Sequence, residues 1–168
     1  NQCERRVLKG EKVPAPEKIV SIFEEHTDII KRGKKQSPTE FGHKVLISTG
    51  KSGFITQYEI FRGNPSDESM FADILVRHVE QYGKAPQTLS GDRRFFSSEN
   101  EKLAYGNGVK KVCISKPGYR SKARRQLEKE RWFKQALRFR AGIEGIISAL
   151  MRSYGLKRCL WKGWESFQ

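Results

Sequence analysis

The order in which apolar periodicity changes along this 168-residue chain limits its fold more than any one motif. Runs of β-branched and aromatic residues come first. Lys18–Phe23 (KIVSIF), His43–Thr49 (HKVLIST) and Phe54–Arg62 (FITQYEIFR) each read as a strand. Four residues, Gly50-Lys-Ser-Gly53, join the last two, which is the spacing of a β-hairpin. Helical spacing takes over at Met70, Phe71, Ile74, Leu75, Val79 and Tyr82, with Gly83 as the stop. Strand-like and helix-like segments alternate from there. Pro86–Asp92 is a strand that ends on an acid, and Ser98-Glu-Asn-Glu101 is a capping box opening a helix to Gly106. Val109–Ser115 is a further strand, and Phe133, Leu137, Ile143, Ile147, Leu150, Met151 and Tyr154 trace a long helix from about 131 to 154. Antiparallel hairpin strands followed by β/α alternation predict an α/β fold, a mixed sheet with helices packed on it. Residues 1–17 are polar, carry Pro14 and Pro16, and read as an extended N-terminal arm ahead of a domain over 18–168.

Charge narrows the partner. The net charge is +14, which makes a polyanion the default ligand, either nucleic acid or an anionic surface. The excess is concentrated: residues 116–140 hold ten Lys or Arg against two Glu. No run of 18 apolar residues exists, so nothing in the sequence spans a membrane. Cys3, Cys113 and Cys159 form no C-x-x-C pair, which speaks against a zinc cluster or a disulfide framework and for a reducing compartment. The three histidines, His26, His43 and His78, have no metal-binding spacing, and His43 with Lys44 opens a strand at a sheet surface.

Two acids draw chemistry. Glu144 is the lone carboxylate in the apolar run RFRAGIEGIISALMR (138–152), in what reads as a buried helix. A charge there is costly unless a cation meets it. Gly142 and Gly145 flank it, and glycine in a helix interior asks for a packing or access reason. Arg140, one turn earlier, is the bland partner, although Arg before Glu is the weaker orientation. Asp92 ends a strand, where open α/β sheets place ligands, but Asp in that position is often only a turn former. Taken together on a basic chain, a strand-end Asp and a helix Glu suggest carboxylates holding a divalent metal against a phosphodiester.

Four segments, TEFGHKVLIS (39–48), YEIFRGNPSDESMF (58–71), SGDRRFFSSENEKLAYGNGVKKVCISKPG (90–118) and RFRAGIEGIISALMRSYGLKRCLWKG (138–163), resemble the catalytic part of DDE-type transposases of bacterial insertion sequences. The likeness runs from about Lys18 onward. It implies an RNase H-like core in which three acids hold two Mg²⁺ (or Mn²⁺) ions that drive DNA cleavage and strand transfer. By motif, Asp92 is similar to the second acid and Glu144 to the third, both metal ligands. Arg140 resembles the helix Arg that precedes the Glu, and Arg152 stands near the trailing basic residue. The implied partner is double-stranded DNA, transposon ends and target, bound by a homodimer in the bacterial cytoplasm at the nucleoid. The expected DNA contacts are Lys31, Arg32, Lys34, Lys35, Arg93, Lys116, Arg120, Lys122, Arg124, Arg125 and Arg152.

The chain also departs from the family pattern. No residue matches the first acid; Asp28 is the nearest, in a different context, and the first strand is expected to lie upstream of Asn1. The loop after Asp92 reads Arg93-Arg94-Phe95-Phe96 where the family usually has a Gly. The last family helix usually continues beyond the Trp-rich segment holding Trp161 and Trp164. The expectation is therefore a fragment that is inactive alone. Two other readings stay open, a non-catalytic basic nucleic-acid-binding module left from a transposase, and an RNase H-like nuclease without strand transfer.

Overall fold

The computed structural model describes residues 2–31, 39–158 and 162–167. Arg32, Lys34, Lys35, Cys159 and Trp161 lie outside the described residues, as does the side chain of Lys31. Two compact units are present, one made of residues 1–65 and 158–168, the other of 66–157. The described strands pair two by two in three separate sheets. Among the described residues no strand pairing joins these into the single mixed sheet expected from the sequence.

In the first unit, β1 (Asp28–Lys31) pairs antiparallel with β2 (Thr39–Gly42), with Asp28 opposite Gly42. β3 (Lys44–Thr49) and β4 (Ile55–Phe61) make the expected hairpin. Its turn closes through Gly50, which accepts from the Gly53 amide at 3.0 Å, and Gly53 adopts φ 81°, a conformation that suits a residue without Cβ. The turn is thus the hairpin connection that its four-residue spacing predicts.

Two expectations fail in this unit. Residues 18–23 form no strand: Ile22 and Phe23 are 83% and 78% exposed, and the backbone bends where the Ser21 hydroxyl accepts from the Glu24 amide. β-branched composition only suits a strand that finds a ladder partner, and residues 18–23 find none: the strand of this region comes later, at Asp28–Lys31, which pairs with Thr39–Gly42. The N-terminal arm is not extended either. Residues Gln2–Val7 form helix α1, and Arg5 reaches Glu11 at 2.8 Å and Glu17 at 2.6 Å, folding the segment back on itself.

The second unit is built on β5 (Thr88–Ser90) and β6 (Lys111–Cys113), parallel, with Leu89 opposite Val112. Helix α2 (Phe71–Tyr82) precedes them and stops at Gly83, whose φ of 67° lets its amide reach the Val79 carbonyl at 2.7 Å. Helix α3 (Ser98–Gly106) makes the crossover between the strands. Its cap is Ser97, one residue earlier than the sequence suggests: the Ser97 hydroxyl accepts from the Asn100 amide at 3.0 Å. Glu101 is thereby released from capping and is free to meet an arginine.

Side chains of a strand alternate between faces, and the segment running through β6 uses both. Val112 and Ile114 join Phe71, Leu75, Ala104 and Val109 in one core cluster. Cys113, between them, packs with Phe133 and Ala136 in a second. Helix α5 (Arg131–Ala141) supplies the latter two and lies against β5 and β6. This β–helix–β arrangement, with apolar clusters on both sides, is the mixed α/β architecture that the alternation predicts.

The long helix is interrupted. After α4 (Lys122–Lys129) and α5, Gly142 separates α5 from α6 (Ile143–Ser153). The Gly142 amide bonds Phe139 at 3.0 Å, and the Gly145 amide bonds Gly142 at 3.1 Å, tighter steps than the α-helical ladder. A Cβ on Gly142 would sit 3.1 Å from the Phe139 carbonyl oxygen, which is the packing reason for that glycine; Gly145 has nothing within 4 Å. No residue of α6 is buried. The apolar run around Glu144 is therefore not the buried helix that its composition suggests.

Candidate functional site

Asp92 follows β5 and caps a short 3-10 turn, Arg93–Phe95. Its Oδ1 accepts from the Arg94 amide at 3.1 Å, which holds the carboxylate at the strand end. The loop that lacks the family's glycine is made without positive φ at any non-glycine residue, and Phe95 and Phe96 anchor it by packing on the core. The turn needs no glycine because the two phenylalanines, rather than backbone freedom, fix its path.

Arg140 comes from the face of α5 that also carries Phe133 and Ala136, so the helix that covers β6 directs the guanidinium over the end of β5. Its Nη1 donates to Asp92 Oδ2 at 2.9 Å, and its Nη2 donates to Glu144 Oε1 at 3.4 Å. One guanidinium thus joins a strand-end acid to a helix acid 52 residues later in the chain. Asp92 and Glu144 thus share Arg140 as a partner. What the sequence misjudges is depth: the Glu144 side chain is 73% exposed, because α6 buries none of its residues.

The donor set suits a hard divalent cation in type. It consists of carboxylate oxygens that already converge on a positive group and face solvent, as Mg²⁺ requires when it keeps water and substrate oxygens in its shell. Among the described residues no group of three or more His, Cys, Asp or Glu is placed to hold a metal ion, so the site has two acids.

The basic residues expected to touch DNA divide sharply. Arg124 turns inward, only 10% exposed, and bonds Glu101, the Ile114 carbonyl and, at 2.9 Å, Glu128. Its guanidinium also lies 5.1 Å from the Phe96 ring. Arg124 is a packing residue and not a DNA contact, since its charge is taken up by two acids. Arg120 adds a second bond to Glu128 at 2.9 Å, and the Lys116 amide a third at 3.0 Å. Burial pushes the Glu128 carboxyl upward, but these donors outweigh it and hold it below the ordinary value. Arg93, Lys122, Arg125 and Arg152 remain on the surface.

A second polar cluster, in the first unit, has no counterpart in the sequence analysis. His43 is not at a sheet surface; its side chain is 3% exposed. Its Nε2 lies 2.7 Å from His26 Nδ1, and its Nδ1 lies 2.9 Å from Asp28 Oδ2, while His26 Nε2 lies 2.8 Å from Glu24. Trp164 stands edge-on to both rings, and Arg62 covers Trp164 at 4.5 Å. The register that sets Asp28 opposite Gly42 is what carries the following residue, His43, to Asp28. Asp28 also accepts from the Gly63 amide at 2.7 Å, so the acid nearest in sequence to the missing first ligand has a structural task.

Comparison with known proteins gives a family and a distant relative. The family described as "Transposase DDE domain" matches residues 14–168. The cytoplasmic polyadenylation element-binding protein 3 of Caenorhabditis japonica is 27% identical over 164 residues, which is 90% of this chain and 22% of that protein. The chain spans about a fifth of the length of that relative. No solved structure matches.

Proposed function

The chain belongs to the transposase DDE-domain family, and on that premise we propose that it is the part of a bacterial insertion-sequence transposase carrying the second and third acids of the catalytic centre. The observation that supports this reading is the Arg140 guanidinium spanning Asp92 and Glu144. Asp92 and Glu144 would hold a divalent ion, Mg²⁺ or Mn²⁺, which when bound neutralises charge on a phosphodiester and activates the attacking oxygen. Both Asp92 oxygens already accept a hydrogen bond, Oδ1 from the Arg94 amide and Oδ2 from Arg140, and each keeps a second lone pair for an ion. Arg140 is the positioning residue. It draws the two carboxylates to one point, and a guanidinium has five N–H donors, so further ones are available to a phosphate oxygen. The substrate is the DNA of transposon ends and target, held by a homodimer. With two acids rather than three, this chain alone does not cut.

The test uses the whole transposase that contains this segment. Asp92→Ala and Glu144→Ala each cut metal-dependent strand cleavage by about 10²–10³-fold, the order seen when a central electrostatic group is removed. Cleavage left intact by both substitutions overturns the reading.

The two-acid site favours a second reading, a basic DNA-binding module without catalysis. It predicts salt-sensitive DNA binding and no metal-dependent cleavage by the whole protein. A strand-transfer assay on a matched DNA end separates transposition from simple hydrolysis by an RNase H-like nuclease.

A further inference from the structure

Four cations without an acid partner stand together on the second unit. Lys129 ends α4, Arg131, Lys134 and Arg138 follow on α5, and with Gln135 they line an open concavity of about 320 Å³. All five residues lie at the surface. Among the described residues none of the four cations forms an ion pair, and the acid within the same stretch, Glu130, accepts from the Trp132 indole instead. At about 100° per residue, Arg131, Lys134 and Arg138 fall within a stripe about 60° wide, with Phe133, Ala136 and Arg140 on the opposite side of the helix.

We propose that this stripe is a track for the phosphodiester backbone of double-stranded DNA, separate from the carboxylate site. The identity of the polyanion rests on the transposase reading; the location rests on the stripe itself. Like charges at i,i+3 and i,i+4 repel along a helix, and α5 keeps three of them in line with no internal acid to relieve them. A polyanion supplies that relief from outside. The concavity lets several phosphates approach at once, and Gln135 adds a neutral donor and acceptor. A membrane surface does not fit: the apolar side of α5 is occupied by Phe133 and Ala136 against Cys113, so no apolar face is left to insert. Arg140 points away from the stripe, so a duplex bound there is held by a surface that does not touch Asp92. The track therefore governs affinity and its salt dependence, not the reacting phosphate.

The experiment measures binding of the chain to a duplex of about 30 base pairs by fluorescence anisotropy between about 50 and 200 mM KCl. Each phosphate left without its cation lowers the slope of log K against log salt by about 0.9, so Lys129→Gln/Arg131→Gln/Lys134→Gln/Arg138→Gln lowers it by about 3–4. A control with the same net charge, Lys84→Gln/Lys102→Gln/Lys110→Gln/Lys157→Gln, lowers it by about 1 or less. Arg131→Lys/Arg138→Lys keeps the wild-type slope, because backbone phosphates need charge and not a fork. Equal reductions in the two quadruple variants, or an unchanged slope in the stripe variant, overturn the track while leaving DNA binding as the function. Wild-type binding to phosphatidylglycerol vesicles that disappears in the stripe variant, with the DNA slope kept, overturns it in favour of a membrane. Failure of the wild type to bind any duplex overturns the transposase reading itself, and with it the ligand assigned to the stripe.

Discussion

Residues 116–125, with five Lys or Arg, and 129–138, with four and one Glu, are both basic, and the arginines at the centre of each do opposite things. In the first, Arg124 is sunk among Glu101, Glu128, Phe96 and a backbone carbonyl, and Arg120 completes the coordination of Glu128. In the second, Lys129, Arg131, Lys134 and Arg138 face solvent, and among the described residues none of them forms an ion pair. A count of positive residues does not distinguish them. What distinguishes them is the position of acids three-dimensionally near each, and Glu101 and Glu128 are both committed to the first. One stretch uses its charge to hold α3, β6 and α4 together, and the other leaves its charge available.

The comparison breaks most directly at Arg124. Arg124→Met leaves two largely buried carboxylates without their main partner, and breaking such a group costs about 3–5 kcal/mol. For a unit of this size, at about 4–8 °C per kcal/mol, the melting temperature should fall by roughly 12–40 °C in a thermal melt, with the salt slope of DNA binding kept. A melt within a few degrees of wild type would erase the distinction between the two stretches.

Acid provides a milder probe. Glu128 titrates below its ordinary value of 4.5 in the fold, so its contribution to stability is complete above that value and is lost as pH falls through the lower folded-state value. Thermal melts from about pH 5 down to about pH 2.5 should show this loss in the wild type and in the stripe variant alike. In Arg124→Met the acid limb is shallower, because one cause of the lowered value is gone. The smallest effect is chemical and carries no stability change. Cys113, on the core side of α5, has its thiol pushed by burial up to about 11, whereas Cys3 is exposed. Iodoacetamide at about pH 8 followed by peptide mapping should label Cys3 and spare Cys113. Rapid labelling of Cys113 would mean that α5 does not stay seated on the sheet.

The sequence foretells the parts of this molecule whose causes are local. The β3–β4 hairpin follows from two period-two runs with four residues between them, and α2 ends where Gly83 allows a left-handed turn. The Arg140–Glu144 bond is one helical turn long and is visible as spacing, while its extension to Asp92 depends on α5 crossing the end of β5. What escapes is decided by partners far away in the chain. Lys18–Phe23 has strand composition and no ladder partner; Glu144 has apolar neighbours in sequence and water in space. His43 lacks a metal spacing, yet the β1–β2 register buries it beside His26 and Asp28. Arg124 counts as one more surface cation until the cap of α3 shifts to Ser97 and sets Glu101 free to meet it.

The break at Gly142 makes α6 a lever, with its fulcrum two residues from Glu144. At about 1.5 Å per residue the arm is about 16 Å long, so a swing of about 10° around Gly142 carries Ser153 by about 3 Å and the backbone of Glu144 by only about 0.5 Å. Displacement at the distal end of the arm is thus reduced about fivefold at Glu144, so a tilt of α6 about Gly142 would leave the Arg140–Glu144 bond almost where it is.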